Sequence, residues 1–236
     1  MVLTSLLGDR LAPVTYSIGF LSAPPERVVR AARWLYFRWP DAWRRVAVLD
    51  GGLEEALLQL QPLGGFLLPR VLVASTALEG WSAVFDGDAR GQGVRGLSVR
   101  LARALRVSGY FVAAAPPALD PEHFPGFRQF YVLGPQTGRD HVRAVWVDEE
   151  EDVGRWHFGT DGEVQPYEDV EAYRRRRHTD RLTERMLVDY AAAVGLRPWE
   201  DSFYRPPFHL ITSLRLGRDR FQRTLAQVRT EMKLDE

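Results

Sequence analysis

Residues 127–158 read FRQFYVLGPQTGRDHVRAVWVDEEEDVGRWHF. This stretch contains three mostly apolar runs of strand length, at 127–133, 142–147 and 153–158, separated by short polar segments. Such short connections join antiparallel neighbours, because a parallel pair needs a crossover of a dozen or more residues. The stretch therefore predicts the body of a largely antiparallel sheet.

The sequence before this block alternates between strand and helix patterns. Val14, Tyr16, Ile18 and Phe20 recur with the period of two that is typical of a strand. Residues 46–49 form a continuous apolar run, which is typical of a strand covered on both faces. Further strands are predicted at 71–74, 81–85 and 110–115. A helix is predicted to begin at Pro24–Pro25 and to end before Pro40. Two more helices are predicted at 53–60 and at 94–106, and Gly109 is expected to stop the second of these.

After Gln165 the pattern becomes mainly helical. Helices are predicted at 167–177, 180–194 and 219–232, with one late strand at 208–214. The last helix has Phe221, Leu225, Val228 and Met232 on one stripe, so it must pack on something. We expect one α+β domain over 1–236, with a mixed, largely antiparallel central sheet, helices packed on it and docked C-terminal helices.

Composition limits the classes of function. The 236 residues are 45% hydrophobic, which is enough for a substantial core, and 31 basic residues balance 31 acidic ones. Zero net charge provides no long-range attraction to nucleic acid or to a membrane. The absence of cysteine excludes disulfides and thiolate sites. Without a signal-peptide pattern or an apolar run of roughly 20 residues, a cytoplasmic location is expected.

Two motifs near residue 90 point to enzyme chemistry. Gly91-x-Gly93-x-x-Gly96 has the spacing of a dinucleotide-binding loop, although Asp86–Arg90 separate it from the preceding strand. Asp86-Gly87-Asp88 follows that strand, and two carboxylates at a sheet end could hold Mg²⁺. Both motifs are also ordinary turn chemistry, which is the interpretation we favour.

Other catalytic signatures are missing from the sequence. The five histidines, His123, His141, His157, His178 and His209, do not have the spacing of a metal site, and neither a GxSxG elbow nor a Walker loop occurs. We therefore nominate no catalytic residue and no cofactor.

Two charge runs stand out. Arg174–Arg177 with His178 could contact phosphate, but flanking acidic residues favour a solvated helix end. The acidic run comprises Asp148, Glu149, Glu150, Glu151 and Asp152. It is either a solvated hairpin turn or a surface that attracts a basic partner.

Three segments carry a resemblance: WSAVFD at 81–86, RWHF at 155–158 leading to QPYE at 165–168, and RLTERMLVDY at 181–190. They resemble uncharacterised proteins of high-GC bacteria, some of the toxin-immunity or defence type. The resemblance covers about residues 70–205 and implies a protein-binding role without a catalytic motif.

Our hypothesis from the sequence is an immunity protein that binds and neutralises a cognate toxin through the acidic run, with Trp156 beside it. Neither a membrane nor a nucleic acid is expected as partner. Two alternatives stay open. One is an enzyme, either a Mg²⁺-dependent phosphoesterase or nuclease using Asp86 and Asp88, or a nucleotide-binding protein using Gly91–Gly96. The other is a structural component of a larger assembly.

Overall fold

A computed structural model describes residues 6–37, 43–64, 70–116, 125–136, 138–150, 155–214 and 222–235. The strands of this part of the chain are β1 (Ser17–Leu21), β2 (Trp43–Leu49), β3 (Val71–Thr76), β4 (Ser82–Asp86), β5 (Gly109–Ala115), β6 (Phe127–Leu133), β7 (Arg143–Glu149), β8 (Trp156–Gly162) and β9 (Tyr204–Leu214). Its α-helices are α1 (Pro25–Phe37), α2 (Leu53–Leu58), α3 (Val94–Leu105), α4 (Glu184–Ala193) and α5 (Leu225–Glu231).

The nine strands form one open sheet in the order β2-β9-β3-β4-β1-β5-β6-β7-β8. Every strand pairing in it is antiparallel. Parallel pairing in the described residues is limited to an isolated bridge between Gly64 and Asp88. The α+β class and the largely antiparallel sheet are confirmed. Strands β6, β7 and β8 are neighbours in sequence and in space, as their short connections predict.

The two faces of the sheet are covered by different parts of the chain. α3 lies on the face of β1 that carries Gly19, where a Cβ atom would come within 1.9 Å of Ser98 Oγ. Glycine is therefore needed for the helix to approach the strand. α1 packs beside α3. Phe20 points to the opposite face, where it contacts the rings of Phe203 and Tyr204.

The C-terminal helix is docked, as the sequence predicts. Leu225, Val228 and Met232 are buried, whereas Phe221 lies outside the described residues. Thr224 begins α5 with a capping box that it shares with Gln227. The predicted apolar stripe is thus the face that α5 buries.

Three local predictions are wrong. β2 is an edge strand and is not covered on both faces, since the side chain of Val48 is 59% exposed. Residues 167–177 form no α-helix but one 3-10 turn at Ala172–Arg174. The residue that stops α3 is not Gly109: the helix ends within one residue of the predicted position, Arg106 caps it in the left-handed conformation, and Gly109 opens β5.

A buried polar network explains why residues 167–177 are not helical. Arg143 of β7 forms a bidentate ion pair with Glu168, and both side chains are almost completely buried. The hydroxyl of Tyr173 also donates to Glu168, at 2.7 Å, and lies 3.0 Å from the hydroxyl of Tyr190. These contacts with β7 and α4 hold the segment in an irregular path, so tertiary structure overrides local helix propensity here.

Among the helices of the described residues, none is both long and apolar enough to cross a lipid bilayer.

Candidate functional site

The two motifs near residue 90 meet at the start of α3. Asp88 Oδ2 accepts hydrogen bonds from the backbone N–H groups of Gln92 and Gly93, each at 3.0 Å. The Asp88 N–H donates to Asp86 Oδ1 at 3.3 Å. The Asp-Gly-Asp turn therefore caps the loop that leads into α3, because Asp88 satisfies the backbone donors of Gln92 and Gly93, which precede the first residue of the helix.

The glycines of the second motif make this close packing possible. Gly91 has a φ of +68°, and its carbonyl accepts a hydrogen bond from Ser17 Oγ at 2.6 Å. A Cβ on Gly93 would lie 2.5 Å from Asp86 Oδ2, whereas the space around Gly96 is open. A phosphate at this helix start would meet the carboxylate of Asp88. Nucleotide binding through Gly91, Gly93 and Gly96 is therefore disfavoured on electrostatic grounds.

Burial and, to a lesser extent, the negative charge of Asp88 raise the pKa of Asp86 to about 8, with the hydrogen bond from the Asp88 backbone acting in the opposite direction. In the absence of a cation, the carboxyl group of Asp86 is therefore largely uncharged at neutral pH. The described residues contain no group of three or more His, Cys, Asp or Glu side chains placed to hold a metal. Metal binding by Asp86 and Asp88 stays a prediction from the sequence.

Replacing Asp88 with alanine should lower the free energy of unfolding by about 1 kcal/mol, because the Gln92 and Gly93 N–H groups lose their acceptor. Urea denaturation at pH 5 measures this, since Asp86 is uncharged there and does not respond to the lost charge. Asp88→Asn retains an acceptor oxygen and is the matched control. Equal destabilisation by both variants would contradict a capping role.

The acidic run lies at the end of β7, with Glu151 and Asp152 outside the described residues. Asp148 is half-buried, and its Oδ1 accepts a hydrogen bond from Gln129 Nε2 at 2.8 Å. Glu149 Oε2 accepts from the backbone N–H of Gly126 at 3.0 Å, and Glu150 is exposed. The run is therefore not a uniformly solvated turn. Its first two carboxylates accept hydrogen bonds from Gln129 of β6 and from the backbone of Gly126, just before β6.

Trp156 does not share a surface with Asp148. In the register of β7 and β8, Trp156 pairs with Glu149 and His157 pairs with Asp148, so Trp156 and Asp148 point to opposite faces. The ring of Trp156 lies 5.3 Å from the guanidinium carbon of Arg128. Nearness in sequence grouped these two residues, and the pleat of the sheet separates them.

Trp146 lies on the same face as Asp148, as does the buried Phe127, which pairs with Asp148 across β6 and β7. Trp146 and Asp148 are two positions apart on β7, and Gln129 and His157 lie on the same face of β6 and β8. We call Gln129, Trp146, Asp148 and His157 the platform. His157 is exposed and Trp146 is partly exposed. The alternation of side chains along β7 could have predicted that Trp146 and Asp148 share a face. The placement of Gln129 and His157 on that face depends on the register of the neighbouring strands.

Gly159 allows the indole of Trp146 to lie flat on β8. A Cβ atom at Gly159 would come within 2.2 Å of that ring. The indole is nearly parallel to the ring of Tyr131, at an interplanar angle of 24° and a centroid distance of 6.4 Å. Arg95 of α3 borders this region: its Nη1 lies 3.3 Å from Tyr131 Oη. Trp146 and Tyr131 therefore form an aromatic surface on the sheet, and α3 lies beside it.

No family model, curated protein or solved structure matches this chain significantly. The resemblance to toxin-immunity proteins therefore rests on the sequence segments alone.

The basic run is partly neutralised by its own neighbours. Arg174 pairs with Glu171 at 2.9 Å, and Arg175 lies 3.9 Å from Asp169. Arg176 and Arg177 are exposed. These local pairs support the interpretation of a solvated segment over a phosphate site.

A small apolar cavity lies on the face that α4 covers. Val112, Leu187 and Trp199 are among the residues that line it, and its volume is about 10 Å³. This is room for about one water molecule and not for a metabolite. The platform is therefore the stronger candidate for recognition.

Proposed function

We propose that this chain is a protein-binding module that captures a cationic partner protein at the β7–β8 end of its sheet. The observation that carries the proposal is the position of Asp148 beside Trp146 on the platform, with the exposed Glu150 next to it in the chain and Glu149 at the same strand end on the opposite face. Protein interfaces combine a partly apolar, aromatic centre with complementary charge around it. Both features occur together here on a surface of the chain.

The acidic charge at this end is local and available. The net charge of the chain is zero, so the run is a concentration of negative charge within a neutral molecule. Within the described residues, the carboxylates of Asp148 and Glu149 accept hydrogen bonds from neutral groups and form no ion pair. Arg95 lies close enough to interact with the charge of Asp148 but forms no ion pair with it, so a cationic partner would add a directly paired countercharge, which strengthens association and speeds encounter.

A toxin is the partner class that we propose. Proteins that act on nucleic acids bind the phosphate backbone through positively charged surfaces. An acidic protein surface that covers such a site would block substrate binding by direct competition. The sequence resemblance to proteins of the toxin-immunity type points the same way, so the proposal is an immunity protein that occludes a basic toxin.

The decisive experiment is affinity purification of the tagged chain from its native host, with identification of stoichiometric partners by mass spectrometry. We expect a one-to-one complex with a basic protein that is toxic when expressed alone and harmless when this chain is co-expressed. Recovery of the chain without a partner, or of a partner that lacks toxicity, would contradict the proposal.

Charge reversal maps the surface in the purified complex. Glu149→Lys/Glu150→Lys is expected to weaken partner binding by about a hundredfold, mostly through lost charge attraction. Glu26→Lys/Glu79→Lys changes the net charge equally at exposed positions elsewhere and should leave the affinity within about threefold. Titration calorimetry at physiological ionic strength measures both. Similar losses in the two variants would place the contact outside the acidic run.

A further inference from the structure

We infer that the platform is an anchor site for an arginine side chain of the partner protein, with the guanidinium stacked on Trp146 and hydrogen-bonded to Asp148. This inference rests on the proposed function and specifies its central contact. The inference specifies the group that is bound, a guanidinium, and its position on the sheet. The acidic run alone specifies neither.

The stacking surface is formed by Trp146 and Gly159. Because Gly159 has no side chain, the indole lies against the backbone of β8, and its other face is directed away from the sheet. No α-helix of the described residues packs closely on β7 or β8. His157 and Asp161 are exposed on this side, and the ring of His178, in a 3-10 turn, lies 6.0 Å from the ring of His157. A planar cation can therefore stack on the open face of the indole, which is the most favourable ring for a cation–π contact.

The carboxylate of Asp148 provides the polar half of the site. Trp146 and Asp148 are separated by about 6–7 Å along β7, as alternate residues of a strand are. Gln129 occupies Oδ1 of Asp148, and Oδ2 accepts no hydrogen bond from a described residue. Partial burial raises the pKa of Asp148, while the hydrogen bond from Gln129 and the positive charge of Arg95 lower it. A bound guanidinium would add a cation in direct hydrogen-bond contact.

Arginine fits this geometry better than the other candidates. Its planar fork can stack on a ring and donate two hydrogen bonds to a carboxylate at the same time, whereas the lysine ammonium cannot stack. A nucleobase could stack on Trp146, but its phosphates would meet the negative charges of Asp148 and Glu150. The nearby cation Arg95 bonds to Tyr131, so it leaves the second oxygen of Asp148 open.

Nuclear magnetic resonance can test the site with peptides of defined charge. In protein labelled with ¹⁵N-tryptophan, Trp146→Phe assigns the indole N–H signal of Trp146. Hexa-arginine is expected to shift this signal and to bind about tenfold more tightly than hexalysine. An unchanged indole signal, or equal affinity for the two peptides, would overturn the inference. A larger shift with single-stranded oligo(U) RNA would overturn it in favour of a nucleic-acid surface.

Two variants test the two halves of the site. Asp148→Asn keeps the acceptor for Gln129 but removes the charge, and we expect hexa-arginine affinity to fall about tenfold. Gly159→Ala places a Cβ where the indole lies, and a similar loss is expected because the ring must move. Asp50→Asn and Gly138→Ala are matched controls, since Asp50 is exposed after β2 and a Cβ on Gly138 meets no atom within 4 Å. Full affinity in both platform variants would overturn the assignment.

The purified partner separates this inference from the proposed function. If Glu149→Lys/Glu150→Lys weakens the partner complex while Asp148→Asn and Gly159→Ala do not, the function stands and the arginine site is wrong. If hexa-arginine binds as expected but no protein partner is recovered, the site stands and the immunity function is wrong.

Discussion

Replacing Arg143 with methionine is expected to lower the free energy of unfolding by about 3–5 kcal/mol, because it leaves the carboxylate of Glu168 buried without a cation. The side chains of Arg143 and Glu168 are only 4% and 1% exposed, so water cannot replace the lost partner. Two hydrogen bonds, of 2.9 and 2.6 Å, join them. Urea denaturation followed by circular dichroism measures the loss.

Two further variants make the effect of Arg143→Met interpretable. Arg143→Met/Glu168→Gln removes both charges and should be more stable than the single variant, because no unpaired charge stays buried. Arg174→Met breaks the exposed pair with Glu171, whose side chains are 78% and 73% exposed, and should cost less than about 1 kcal/mol. If Arg143→Met were as mild as Arg174→Met, the buried pair would contribute little to stability.

The second large effect is a pH dependence that originates at Asp86. Burial raises the pKa of this carboxyl group to about 8 in the folded protein, from an ordinary value of 3.8. Between these two values the unfolded chain releases the proton and the folded chain retains it. The unfolded state therefore binds fewer protons, so the contribution of Asp86 to stability is full below about pH 4 and is lost as the pH rises towards 8.

Asp86→Asn should remove this dependence, because the amide does not titrate and still accepts the hydrogen bond from the Asp88 backbone. Relative to the wild type, the variant is expected to gain about 3–4 kcal/mol in the free energy of unfolding between pH 5 and pH 8. Urea denaturation across this range gives the difference between the two proteins. Asp50→Asn, at an exposed carboxylate, serves as the control. Parallel curves for wild type and Asp86→Asn would contradict the raised pKa.

The predictions from sequence were most accurate for elements whose apolar periodicity matches the face that the fold buries. The strand predicted at 127–133 is β6, and the helix predicted at 94–106 is α3 within one residue at its C-terminal end. In both, the apolar periodicity seen in the sequence matches the face that the fold buries. The helix predicted at 167–177 failed because Glu168 and Tyr173 are held by Arg143 and Tyr190, which lie far away in the chain.

The candidate site depended on register more than on pattern. The sequence located the acidic run, but it paired Asp148 with Trp156, which points to the other face of the sheet. The partners that the structure places beside Asp148 are Trp146 on its own strand and Gln129 and His157 on neighbouring strands. A shift of one residue in register exchanges the two faces, and register is decided by contacts between strands.

Periodicity, turn residues and charge within short segments are enough to specify the α+β class, most of the strands and helices, the docked stripe of α5 and the position of the acidic run. Long-range contacts are needed to place β2 and β8 at the edges, Asp88 on the loop before α3, and Trp146 beside Asp148. These features depend on contacts between residues that are distant in the chain, and their free energy is gained only when the whole sheet is assembled.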